Sequence, residues 1–198
     1  MGENTRQSLL IRVRDPHDAE AGGQFAQVYG PMIYRFARKR GLQDADASDL
    51  SQIALAAVMQ TLHDGKFDPH RGTFRGWLFG LVRHQMQKFR ERNGKQPAGT
   101  GGTSMRHRLE AQPAPAIEEE AVWDGEFERQ MFLAATERVR REFHESSWEA
   151  FWQTAVDGRG AGDVGRELGL SVGAVYTAKS RVLSRVKQEI ELMQEVSP

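Results

Sequence analysis

Cysteine is absent from the 198 residues of this chain. Without a thiol, the chain can form no disulfide and can supply no thiolate to a zinc ion. Long apolar runs are missing too, since nothing approaches the roughly 18 consecutive apolar residues of a membrane-spanning helix. Residues 1–15 lack the apolar core and small-residue cleavage site of a signal peptide. These absences predict a cytoplasmic protein with no membrane span.

An excess of charge of either sign is also lacking, because 27 Lys and Arg balance 27 Asp and Glu. The balance hides an uneven distribution along the chain. Twelve bases stand against six acids from Pro31 to Lys95, and seven acids occur without a base from Glu110 to Glu128. Four bases occur without an acid from Val172 to Lys187. Such asymmetry is typical of a patchy electrostatic surface, as in nucleic-acid-binding proteins, although ordinary solvated helix faces are an alternative.

Motifs of catalysis and metal binding are missing as well. The six histidines show no H-E-x-x-H or comparable ligand spacing, and the chain has no G-x-S-x-G and no phosphate-binding glycine loop. We therefore expect a protein that is not an enzyme and that needs neither a cofactor nor a metal.

The stretch NGKQPAGTGGTSMRHRLEAQPAPA, from Asn93 to Ala116, separates two regions of helical pattern. It is rich in Gly, Pro, Ser and Thr and nearly free of apolar residues, so it cannot bury enough surface to offset the entropy cost of ordering itself. It predicts a flexible linker over residues 94–121. The linker would join domains at 25–93 and 122–191, with an N-terminal extension over 1–24 and a tail over 192–198.

Both regions carry apolar residues at helical spacing, and neither shows the long alternation of a strand. In the first region, three apolar stripes predict three helices. The first ends near Gly41, the second has Asp46 or Ser48 as its cap and ends at Gly65, and the third has Thr73 as its cap. The predicted fold class is all-α, with two small helical domains joined by a flexible linker.

The segment AGDVGRELGLSVGAVYTAKS, from Ala161 to Ser180, has the pattern of a helix-turn-helix. Gly169 stands at the turn, where a positive φ is usual, and Ser171 is placed to cap the second helix. Gly165 occupies the tight-contact position, where alanine is more usual and where glycine lowers helix propensity. Apolar residues fill the required offsets: Val164, Leu168, Leu170, Val175 and Ala178.

In a DNA-reading helix-turn-helix, the N-terminal residues of the second helix face base edges in the major groove. Here those residues are Ser171, Val172, Gly173, Tyr176, Thr177 and Ser180. Basic side chains along the same helix would meet phosphates, which position a protein without reading sequence. They are Lys179, Arg181, Arg185 and Lys187. A plain helical hairpin with a basic solvated face is the alternative.

Aromatic and basic residues are interleaved in FRGWLFGLVRHQMQKFRER, from Phe74 to Arg92. Aromatic rings can stack on unpaired bases while cations hold the backbone, so this composition suits single-stranded DNA. The alternative, which the segment alone favours, is a core helix with buried aromatics and exposed bases. The segment DADASDLSQIALAAV, from Asp44 to Val58, is by itself only an amphipathic helix with an acidic start.

The order of these features resembles the extracytoplasmic-function class of sigma-70 factors. The resemblance covers roughly Phe25 to Arg92 and Glu126 to Ile190, and it implies a sigma region 2-like bundle and a sigma region 4-like helix-turn-helix. It implies an alternative sigma factor that binds RNA polymerase core and directs it to promoter DNA. The implied partners are core polymerase and promoter DNA, with an anti-sigma factor as a further candidate, and the free chain would be a monomer.

The resemblance also implies roles for individual residues. Docking on core polymerase falls to Asp46, Asp49, Leu50 and Gln52. Melting and reading of the −10 element fall to Phe74, Arg75, Trp77, Arg83, His84, Lys88 and Arg90. Reading of the −35 element falls to Ser171, Val172, Gly173, Tyr176, Thr177, Lys179, Ser180, Arg181 and Arg185. Two positions depart from the family pattern, since Ile53 follows Gln52 where Glu is common and His84 follows Arg83 where Asn is common.

A stand-alone helix-turn-helix transcriptional regulator is the alternative function. Such a regulator would need a sensing or dimerisation domain in its N-terminal half. That half instead carries the aromatic and basic segment, which a ligand-sensing domain does not require.

Overall fold

Helices make up the regular structure of residues 9–95 and 116–194, the residues that the computed structural model describes. No strand occurs within these two ranges, so the all-α fold class is confirmed for them. The chain divides into two units, with the division between Gln130 and Met131. Residues 96–115, most of the predicted linker, lie outside the described residues.

In its described residues, unit 1 contains four helices and the first part of a fifth. Between the third and fourth helices lies a 3-10 turn at Pro69–Arg71. The helices are α1 (Leu9–Arg12), α2 (Ala19–Lys39), α3 (Asp44–His63), α4 (Phe74–Lys95) and residues 116–130 of α5 (Ala116–Val139). Helix α5 therefore begins within the range predicted as linker.

The start of α3 differs from the sequence prediction. Gln43 is the N-cap residue and the helix begins at Asp44, so the caps predicted at Asp46 or Ser48 are wrong. The first turn of the helix contains Asp44 and Asp46, where carboxylates interact favourably with the helix dipole without acting as caps. The cap predicted for α4 is confirmed, since the Gly76 backbone N–H donates to Thr73 Oγ1 at 3.2 Å.

The core of unit 1 is rich in aromatic rings. Tyr29 packs against Phe25 and Phe74, with ring centroids 4.4 Å and 5.5 Å away. Phe36 packs edge-on against Trp123 at 5.2 Å. The predicted N-terminal extension takes part in the buried core of unit 1 through Leu9, Leu10, Val13 and Ala21.

Unit 2 begins with residues 131–139 of α5 and a 3-10 turn at Arg140–Glu142. Helix α6 (Glu145–Phe151) continues into a π-helical turn at Trp152–Val156. Helices α7 (Ala161–Leu168) and α8 (Val172–Gln194) follow. One apolar cluster contains all five residues predicted at the helix-turn-helix offsets, packed with Ala150 and Ala161: Val164, Leu168, Leu170, Val175 and Ala178.

Candidate nucleic-acid interfaces

The turn between α7 and α8 has the geometry that the motif predicts. Gly169 adopts the left-handed conformation at φ 67° and ψ 29°, which glycine reaches without steric cost. The Leu170 backbone N–H donates to the Gly165 carbonyl at 2.8 Å, closing the end of α7. Ser171 Oγ accepts from the Ala174 backbone N–H at 3.1 Å, so the predicted cap of α8 is confirmed.

Gly165 lies where the turn comes closest to α7. A Cβ atom built at this position would approach the Leu170 carbonyl oxygen to 2.7 Å, closer than real Cβ contacts. The oxygen belongs to the backbone of the turn and cannot rotate away. The close approach explains why glycine stands where this motif usually has alanine.

The residues predicted to face base edges share one solvent-exposed stretch of α8. Its larger side chains are Val172, 48% exposed, and Tyr176, 60% exposed. Exposed apolar and aromatic groups of this size are available for contact with the edges of bases, including the thymine methyl group. The exposed members of the predicted set are Ser171, Val172, Gly173, Tyr176, Thr177, Ser180 and Arg181.

The basic residues predicted to meet phosphates differ in their surroundings. Arg185 is half-buried, with Nε 2.7 Å from Glu142 and Nη2 2.9 Å from Glu189. The hydrogen bond to Glu142 raises the pKa of Arg185 further above its usual range, despite partial burial. Lys179 is half-buried and donates to the Thr154 carbonyl at 3.4 Å. Arg181 is therefore better placed for a phosphate than Arg185 or Lys179.

In unit 1 the aromatic residues predicted to act on the −10 element separate into core and surface. Phe74 is 5% exposed and lies in the ring cluster of Phe25, Tyr29 and Phe67. Trp77 is half-buried and packs on Phe67 at 4.9 Å between ring centroids. The structure therefore places Phe74 in the core and leaves part of Trp77 in contact with solvent.

Two of the three predicted DNA-binding arginines of α4 are paired with acids of α5. Arg75 Nε lies 3.3 Å from Asp124, and Arg83 Nε lies 3.1 Å from Glu119. Glu119 is only 3% exposed and also accepts from Arg40, the C-cap residue of α2, at 3.0 Å. A predicted DNA-binding arginine thus shares a buried carboxylate with a second arginine.

A second acid of α5 lies between cations of α2. Glu126 is 2.7 Å from Arg35 and 2.8 Å from Lys39, and Arg35 also donates to Gln130 at 2.7 Å. Burial alone would raise the pKa of Glu126, but hydrogen bonds from Lys39 and Arg35 outweigh it and lower the pKa below its usual range. Glu126 is therefore held as a charged group.

The remaining −10 residues lie further along α4. Arg90 donates to the Arg40 carbonyl at 3.0 Å, and burial, with the charge of Arg40, lowers its pKa. His84 and Lys88 are solvent-exposed. Sequence reasoning did not foresee that acids of α5 pair with this face. The acidic run from Glu110 to Glu128 was the available signal, since it contrasts with the basic stretch before it.

The residues predicted to dock on core polymerase are not all on the surface of α3. Asp49 and Gln52 are exposed and Asp46 is half-buried, whereas Leu50 is 0% exposed. Leu50 therefore contributes to the core, and its side chain is not available to a partner in this structure. Ile53, 38% exposed, is an apolar surface residue of the same helix that the predicted set leaves out.

Within residues 9–95 and 116–194, no helix is long and apolar enough to cross a membrane. No group of three or more His, Asp or Glu side chains there could hold a metal ion.

Residues 25–96 match the family model described as sigma-70 region 2. This part of the chain, which includes helices α3 and α4, is therefore similar to sigma-70 region 2. The match confirms the resemblance to sigma-70 factors over its N-terminal portion.

A solved structure, described as that of CnrH in complex with the cytosolic domain of CnrY, is similar to the chain at 22% sequence identity. The similarity covers 92% of this chain and 95% of that chain, with a TM-score of 0.35. No curated protein sequence matches significantly.

Proposed function

We propose that this chain is an alternative sigma factor of the extracytoplasmic-function class, which binds RNA polymerase core and directs it to promoter DNA. The match of residues 25–96 to sigma-70 region 2 carries the proposal. A helix-turn-helix with a capped and exposed second helix supports it from unit 2. The domain boundaries at 25–93 and 122–191 remain part of this proposal.

Docking on core polymerase would use the exposed face of α3. Asp49, Gln52 and Ile53 are neighbours on this face at helical spacing, with a carboxylate, an amide and an apolar side chain. Leu50, because it is buried, would support the helix from within.

DNA would be held at two places. Arg75, Trp77, Arg83, His84 and Lys88 would bind the −10 element as it opens, since aromatic stacking and cations suit single strands. Tyr176, Thr177 and their neighbours on α8 would read the −35 duplex in the major groove. Melting costs base stacking of about 1.4 kcal/mol per step, which capture of the opened strand would offset. Two weak contacts on one chain reinforce each other through effective concentration.

Run-off transcription with purified core polymerase, with and without the chain, tests the proposal. We expect specific transcripts only when the chain is present. Core polymerase that neither binds the chain nor gains a transcript from it would overturn the proposal. Specific binding of duplex DNA by a dimer without polymerase would instead favour the stand-alone regulator.

The docking face can be tested with a matched pair of variants on α3. Asp49→Ala with Gln52→Ala removes one acid and one amide from the proposed face and should weaken co-purification with core polymerase. Gln60→Ala with Asp64→Ala removes the same two groups at the other end of the helix, where they bond to each other at 2.8 Å. Equal retention of polymerase by both variants would reject the docking assignment.

A further inference from the structure

Two acids of α5 pair with arginines of α4 that the proposed function assigns to nucleic-acid binding. Asp124 pairs with Arg75, and Glu119 pairs with Arg83. We propose that residues 119–126, the masking segment, cover the DNA-binding face of unit 1 in the free chain and must leave it before single-stranded DNA can bind. The proposal rests on the proposed function for its assignment of that face.

The chemistry of the contact supports competition with DNA. A carboxylate and a phosphate both accept charge-assisted hydrogen bonds from guanidinium groups, so they compete for the same N–H donors. The masking segment belongs to the same chain as the arginines, and an intramolecular competitor acts at an effective concentration in the millimolar range. The apparent affinity for an oligonucleotide would equal the intrinsic affinity multiplied by the fraction of molecules that are unmasked.

An aromatic anchor holds the masking segment in place. Trp123 is fully buried, with its ring centroid 5.2 Å from that of Phe36 and 5.6 Å from that of Phe79. Phe79 lies on α4, between Arg75 and Arg83, so the anchor and the two ion pairs act on one side of that helix. Packing and charge therefore favour the same arrangement.

The contact also contains two unsatisfied polar atoms. Within the described part of the chain, the buried Trp123 Nε1 and Arg40 Nε have no hydrogen-bond partner. A buried N–H without an acceptor destabilises the arrangement that buries it, because the group loses its hydrogen bond to water. The docked segment is thus stabilised by ion pairs and ring packing yet opposed by desolvation, which favours reversible release over permanent attachment.

A matched pair of variants on the masking helix tests the proposal in the full chain without polymerase. The first is Glu119→Gln with Asp124→Asn, which removes the two charges that pair with Arg83 and Arg75. The control is Glu118→Gln with Glu120→Gln, which changes the net charge equally at two exposed positions of the same helix. The probe is a fluorescein-labelled 20-nucleotide thymidine strand, and its anisotropy reports binding.

We expect the first variant to bind the labelled strand about three- to tenfold more tightly than the unmodified chain, because the segment loses its ion pairs with Arg75, Arg83 and Arg40. The control should stay within about twofold, since long-range charge effects are screened by salt. Equal affinities of the two variants for the strand, or no binding by either, would overturn the proposal that residues 119–126 mask the DNA-binding face.

Hydrogen exchange of the unmodified chain provides a second measurement that needs no folded variant. Addition of the thymidine strand should accelerate exchange of the backbone amides of residues 117–129, because release from α2 and α4 removes their protection. Unchanged exchange at saturating strand would contradict the proposal.

Run-off transcription separates this inference from the proposed function. If the chain supports transcription but the tests show neither tighter binding nor faster exchange, the proposed function stands and the masking proposal is wrong. If the tests show both changes but the chain supports no transcription, the masking proposal stands and the proposed role as a sigma factor is wrong.

Discussion

Helices α4 and α8 were both predicted to bind DNA, yet the structure leaves their side chains in different states. On α8, the residues predicted to read bases lie on one solvent-exposed stretch. On α4, Phe74 is buried in the core, and Arg75 and Arg83 are ion-paired with acids of α5. The base-reading residues of α8 are available to a partner, whereas Arg75 and Arg83 of α4 would first have to be released from their acidic partners.

The difference shows what determines the availability of a binding residue. The apolar spacing of α8 decides within one helix which side chains are buried and which are exposed. The partners of Arg75 and Arg83 come from residues 119–124, more than 30 positions further along the chain. Availability on α4 is therefore a property of packing between distant segments.

The largest effect is expected where an aromatic residue of α4 belongs to the core. Phe74→Ala should lower the free energy of unfolding of unit 1 by about 3–5 kcal/mol, since a buried ring is replaced by a cavity. Trp77→Ala should cost less stability, because Trp77 is half-buried, and should impair promoter opening more strongly. Urea unfolding and permanganate reactivity of −10 thymines measure the two quantities. Similar losses of stability would contradict the division between core and surface.

The next effect concerns the turn of the helix-turn-helix. Gly165→Ala should lower the free energy of unfolding of unit 2 by about 1–3 kcal/mol, as expected for overpacking against a backbone oxygen. Gly162→Ala on the same helix is the control, because a Cβ there meets nothing within 4 Å. The control should be neutral or stabilising by up to about 1 kcal/mol through helix propensity. Thermal unfolding measures the stability of the two variants. Equal stability would contradict the close approach of the Leu170 carbonyl oxygen to Gly165.

A smaller effect on stability, with a clear effect on recognition, is expected on α8. Tyr176→Ala should change the free energy of unfolding by no more than about 0.5 kcal/mol, because the side chain is exposed. It should change discrimination among −35 bases by about 1–3 kcal/mol. The measurement is transcription from a library of −35 sequences. Ser184→Ala, at an exposed position further along α8, is the control and should leave base preference unchanged. A change in base preference equal to that of Tyr176→Ala would reject the assignment of Tyr176 to the base-reading face.

The smallest effect is a pH dependence in unit 1. The pKa of Glu126 is lower in the folded chain than the usual value of about 4.3. The carboxylate therefore contributes stability above that value, and the contribution is lost as pH falls through the folded pKa. Glu126→Gln should flatten the acidic limb of the stability profile. The stability of the two chains is measured by chemical unfolding at a series of pH values. A profile between pH 3 and 6 that Glu126→Gln leaves unchanged would contradict the role of its ion pairs.

Local sequence was sufficient for features that depend on neighbours along the chain. Helical periodicity predicted the all-α class, and the caps Thr73 and Ser171 followed from residue type and position. The turn at Gly169 followed from the preference of glycine for positive φ. These features are decided within a few residues, where backbone sterics and short-range hydrogen bonds dominate.

Tertiary structure alone decided which of the predicted binding residues have accessible side chains. Leu50 and Phe74 fit a binding motif by position, but both are buried. Arg75 and Arg83 fit a DNA-binding motif by charge, but both are paired with acids of α5. Composition indicated that residues 110–128 are acidic, without indicating which cations they meet. Pairing of charges depends on distances in space, and those distances are set by packing of segments that are remote in sequence.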